Sequence, residues 1–92
     1  MNNYELVTIL SMRASDEEKV AFAEKMKNLI LQNGELTNVD EWGKKVLAYE
    51  IKKETEGFYV IFTFSSKPEA IDEIERQLRL DEVVLKFMTI KK

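Results

Sequence analysis

The chain has no cysteine and no histidine, and only three glycines and one proline in 92 residues. Without Cys or His there can be no disulfide framework, zinc finger, thiol nucleophile, or Ser-His-Asp or Cys-His arrangement. The glycines, Gly34, Gly43 and Gly57, stand well apart, which excludes a glycine-rich phosphate loop. So little Gly and Pro points to regular elements joined by short connections. Long apolar runs are also missing. Nothing approaches the roughly 18–20 residues of a membrane span, and the N-terminal YELVTIL is short and interrupted by Glu5, so no signal-type segment is expected. The lack of cysteine fits a reducing compartment. One domain, residues 1–92, is expected. A chain of this size buries only about 60–65% of the surface its unfolded form exposes, so its core must be efficient.

Positive charge is in the minority, with 14 Lys+Arg against 17 Asp+Glu. Yet the stretch WGKKVLAYEIKK, Trp42 to Lys53, sets four lysines around two aromatics with Glu50 as its only acid. Further basic residues collect near the C-terminus as Arg76, Arg79, Lys86, Lys91 and Lys92. The acids gather in the segments that read as helices, as in Asp16, Glu17, Glu18 and Glu24, then Glu69, Asp72, Glu73 and Glu75. Lysines placed this way can neutralise phosphates. They can also guard strand edges against aggregation.

The element pattern is regular. Tyr4–Leu10 reads as a strand. Ser15 followed by Glu18 is a capping box, and Phe22, Met26, Leu29, Ile30 and Asn33 continue at helical spacing, which predicts a helix over 16–33 stopped by Asn33-Gly34. A second strand occupies 35–53, with a bend or bulge at Gly43. Glu54-Thr55-Glu56-Gly57 reads as a hairpin turn, and Phe58–Phe64 as the third strand. Ser65–Glu69 opens a second helix with Pro68 in its first turn, and Ile71, Ile74 and Leu78 form its apolar stripe. Val83–Ile90 is the last strand. This order predicts an α+β, ferredoxin-like split βαβ fold (βαββαβ). Both helices cover one face of a four-stranded antiparallel sheet whose first and third strands are central.

The other face should then be polar, yet the strands are apolar on both parities. If Leu6, Phe62, Phe64 and Phe87 face the helices, then Val7, Ile9, Tyr59, Ile61, Met88 and Ile90 face outward, with Lys86 beside them. A patch of that kind marks a partner surface. With a basic rim it suits a protein or single-stranded RNA. Alternatively, the second strand folds over and covers much of it within the chain.

Chemistry is sparsely provided for. Carboxylates sit on solvated helix faces beside Lys and Arg, as in Glu75–Arg79. Ser11-Met12-Arg13-Ala14 offers an arginine after the first strand but no glycines to cradle an anion. No catalytic residue, metal ligand, cofactor or small-molecule substrate is expected. A small ligand-binding or regulatory domain not bound to RNA stands as the alternative function.

The run from Gly43 to Lys52, GKKVLAYEIK, resembles the signature of the bacterial small-subunit ribosomal protein six family. Met1–Glu5, Gly57-Phe58-Tyr59 and Leu78–Met88 match it at the corresponding separations, so the resemblance spans essentially the whole chain. Asn2 and Asn3 depart from the basic residues common there, and Val46 stands where a polar residue is usual. The resemblance implies a cytoplasmic, structural ribosomal protein. It would bind the central domain of small-subunit ribosomal RNA jointly with ribosomal protein eighteen, with no membrane involved. Matching motif positions are Tyr4, Lys45, Leu47, Tyr49, Lys52, Arg79 and Lys86, which the motif does not divide between RNA and partner. Together with charge and parity, they give Lys44, Lys45, Lys52, Lys53, Arg79, Lys86, Lys91 and Lys92 as expected RNA contacts. Tyr4, Val7, Ile9, Tyr49, Tyr59, Ile61, Met88 and Ile90 are the expected partner contacts.

Overall fold

Ser15 caps the first helix as its spacing from Glu18 requires. Its Oγ accepts the Glu18 amide at 3.1 Å, and the Glu18 carboxylate accepts the Ser15 amide at 3.0 Å. That second bond holds the Glu18 carboxyl below its ordinary pKa. The computed structural model describes residues 1–92. Its elements are β1 (Asn2–Ser11), α1 (Asp16–Asn33), β2 (Gly34–Ile51), β3 (Glu54–Ser66), α2 (Ala70–Leu80) and β4 (Val84–Lys91). The strands form one antiparallel sheet in the order β2-β3-β1-β4. This is the expected ferredoxin-like topology, with β1 and β3 central.

Alternation decides what each central strand buries. Leu6 and Leu10 of β1, with Val60, Phe62 and Phe64 of β3, turn to the helices. They meet Phe22, Met26 and Ile30 of α1 and Ile74 and Leu78 of α2, at the spacing the helical pattern predicts. Phe62 is fully buried and takes Phe22 edge-on at 6.2 Å. Burying a side chain of this size contributes about 1.5–3 kcal/mol, so this face holds the fold.

Two local expectations are corrected. The hairpin turn is Lys52-Lys53, not Glu54–Gly57, because Ile51 already pairs with Glu54. Both lysines adopt left-handed backbone, φ 49° and 66°, which a two-residue turn demands and which glycine or asparagine usually supplies. Next, β3 runs on to Ser66, and Pro68 lies in the turn before α2 rather than in its first turn. The first helix does stop at Asn33-Gly34 as expected, and its cap is Gly34. This glycine's backbone is extended, and it is small because a Cβ there would strike the Ser65 carbonyl of β3.

Candidate functional site

The face without helices is built from cross-strand rows. Met88, Val7, Ile61 and Asp40 form one row, and Lys86, Ile9, Tyr59 and Gly43 the next. A third sets Ile90, Glu5 and Thr63 side by side, ending at Asn38. These positions alternate with the helix-facing ones, so the apolar content here is a second surface and not an extension of the core.

Near its end β2 leaves the sheet. Pairing with β3 lapses between Val46 and Ile51, and this stretch curls over the open face. Leu47 settles on Ile9 and Leu85, with Ile51 and Tyr59 around them, making a small second core. Gly57 permits it: a Cβ there would strike Ile9 and come within 3.3 Å of Leu47. Leu85 reaches this face because the β1–β4 register shifts between Ile9 and Leu10. The Tyr49 hydroxyl then accepts a hydrogen bond from Lys86 Nζ at 2.6 Å, joining one edge strand to the other. Between curl and sheet lies a groove of about 210 Å³ whose walls include Val7, Ile9, Tyr49, Tyr59, Lys86 and Met88.

Beneath the tip, Glu54 fixes the loop after β1. Its carboxylate accepts the Ser11 hydroxyl at 2.7 Å and the Met12 amide at 2.9 Å. The hairpin is therefore anchored next to its turn.

The structure brings part of the expected basic set together. Lys45 stands 5.6 Å from the Trp42 ring and Lys86 lies 5.2 Å from the Tyr49 ring. Lys52, Lys86 and Arg79 line one shallow recess, with Lys53 next along the hairpin tip. Arg79 lies 5.6 Å from the Phe87 ring and pairs with Glu75 at 3.5 Å. Lys45, Lys52, Lys53, Lys86 and Lys91 have no carboxylate within salt-bridge distance. Lys44, in contrast, pairs with Glu56 at 3.6 Å. Lys91 and Lys92 are not part of the cluster. They end β4 roughly 20 Å beyond Lys86 along the strand, where Lys92 pairs with Glu5 at 3.2 Å.

The expected partner set divides in the same way. Met88 and Ile90 are exposed, as is Tyr49, while Val7 and Tyr59 are half-buried. Ile9 and Ile61 lie on the right face but are buried, as its floor. Tyr4 is a correction. It shares parity with Leu6, is only 6% exposed, and packs its ring against Phe64 at 5.7 Å in the helix-side core. Leu47, Ile51 and Leu85 belong to the open-face cluster although no strand alternation announced them. Trp42, beside the bulge at Gly43, is exposed and was not among the expected contacts.

The Ribosomal protein S6 family model matches residues 3–91. The chain belongs to the ribosomal protein S6 family. Proteins named small ribosomal subunit protein bS6 from Caldanaerobacter subterraneus and Thermoanaerobacter pseudethanolicus are 44% and 45% identical to it. Each alignment spans 99% of this chain and 97% of the relative. The crystal structure of 30S ribosomal protein S6 from Thermotoga maritima superposes with a TM-score of 0.93 at 27% identity, over 99% of this chain and 87% of that one. A solved Arabidopsis thaliana protein, with a TM-score of 0.59 at 18% identity, shares the fold alone. Membership of the S6 family makes this a small-subunit ribosomal protein with a structural rather than an enzymatic role.

Proposed function

We propose that this S6-family chain binds the central domain of small-subunit ribosomal RNA jointly with ribosomal protein eighteen, as part of the cytoplasmic small subunit. The carrying observation is the apolar groove on the open sheet face with unpaired lysines at its rim. Ile9 in the groove and Ile61 on the same sheet face are already buried, so a partner meets this face at its exposed residues Met88, Ile90 and Tyr49. Lys45, Lys52, Lys53, Arg79 and Lys86 then face RNA, as phosphate contacts that position the protein without reading base sequence. A volume of about 210 Å³ is below the ~300–1,000 Å³ usual for small-molecule pockets, which favours a protein partner over a small ligand in this groove.

Met88→Asp tests the partner contact. It places a charge at a residue 52% exposed in the free chain, so melting should change little. Association with ribosomal protein eighteen, followed by gel filtration, should be lost. Normal association of a correctly folded variant would remove this face from the interface.

A further inference from the structure

Trp42 is the only tryptophan in the chain, and it is 54% exposed. It is held in place all the same. It is the extra residue where the β2–β3 register shifts between Glu41 and Gly43, and Gly43 has φ +80°. Its Nε1–H donates to the Asp40 carboxylate at 2.9 Å. Its ring lies nearly parallel to Tyr59, 11° between planes and 6.4 Å between centroids, and Tyr59 is fixed in a central strand. Lys45 Nζ, with no carboxylate partner, is 5.6 Å from the indole centroid.

A large aromatic ring oriented by the protein yet left in water is suited to receive another flat surface. Because its orientation is already restricted, little further side-chain freedom is lost when something binds. The neighbouring cation narrows the choice. An apolar protein segment laid on Trp42 would strip water from Lys45 and give it nothing in return. An unpaired nucleotide supplies a base for the indole and a phosphate for the ammonium. A base inside a duplex has its faces occupied by stacking, so the nucleotide must be single-stranded.

We propose that Trp42 is a stacking site for one unpaired nucleotide of RNA, with Lys45 on that nucleotide's phosphate. This rests on the RNA-binding reading above and adds to it a non-helical RNA element at a defined place on the protein. Asp40 and Glu41 lie on the opposite side of Trp42 in sequence from Lys45, which directs the sugar-phosphate chain toward Lys45.

The lone indole is its own probe. A short oligoriboadenylate, titrated into the full chain at low ionic strength, should quench Trp42 emission, while an RNA duplex of equal length leaves it nearly unchanged. In filter binding to a fragment of the ribosomal RNA central domain carrying its unpaired nucleotides, Trp42→Leu should weaken affinity about tenfold. Trp42→Phe should restore most of it, because a π-face returns. Circular dichroism and melting of both variants should match the parent. Leu and Phe variants that bind alike, or emission unmoved by the single strand, would overturn the stacking site. If Lys45→Gln and Lys86→Gln weaken binding to that fragment but Trp42→Leu does not, stacking fails and the RNA reading stands. If none of the three weakens it, both fail.

Discussion

Glu73, on the second helix, shows how far neighbours alone can move a surface carboxyl. Arg76 donates to it through Nε at 2.9 Å and Nη2 at 2.7 Å, and Gln77 adds a third bond at 3.0 Å. The Arg76 hydrogen bonds and then that of Gln77 lower its pKa from 4.5 to about 2, and Arg76 is raised in return. With the folded value depressed, the contribution to stability is present above pH 4.5 and disappears as pH falls toward 2. The pair is exposed and screened, so the titration is a better readout than the melting temperature. Carboxyl NMR should place the Glu73 midpoint near 2, and Arg76→Ala should move it up while Gln77 keeps it below 4.5. Tyr4 carries a different lesson. Simple alternation with Leu6 already puts it on the helix side, and only its match to the family motif suggested the partner surface.

The β2–β3 hairpin is where pattern and structure part most. A reading of turns looks for glycine, and Gly57 stood within reach. The true turn uses two lysines in left-handed backbone, a conformation costing roughly 1–2 kcal/mol per residue without glycine. Gly57 is instead kept small by Ile9 and Leu47 crossing above it. Replacing Lys52-Lys53 by Asn-Gly should therefore raise unfolding free energy by about 1 kcal/mol or more in urea titrations. The same change should weaken RNA binding, because two cations leave the tip. Higher stability with unaltered RNA affinity would detach the hairpin tip from the interface. Leu85 was hidden for a related reason. A bulge moves a residue from one face to the other, and period-two alternation carries no trace of it. The helices had no such difficulty, since the capping box and the Phe22-Met26-Ile30 spacing are both local signals.

For the molecule as a whole, the two sheet faces divide the work. The helix side holds the fold, and Phe62→Ala there should cost about 3–5 kcal/mol, seen as a large loss of denaturation midpoint. The open side leaves Tyr49, Met88 and Ile90 exposed, and β2 covers only part of it. The overall arrangement was readable in the sequence because strand and helix periods differ and each central strand was apolar on both parities. The grouping of the lysines was not. Lys44 and Lys92 find acids in the folded chain, and the length of β4 separates Lys91 and Lys92 from Lys86.

The proposed function has the rim lysines neutralise RNA phosphates beside a protein-binding face. It is tested most directly by the salt dependence of binding to the central domain of small-subunit ribosomal RNA, measured together with ribosomal protein eighteen. Lys45→Gln and Lys86→Gln should each weaken binding and reduce the slope of log affinity against log salt by roughly 0.7–0.9. Lys92→Gln, at the far end of β4, should leave the slope as it is. A slope unchanged by Lys45→Gln and Lys86→Gln would rule out phosphate contacts by the rim lysines.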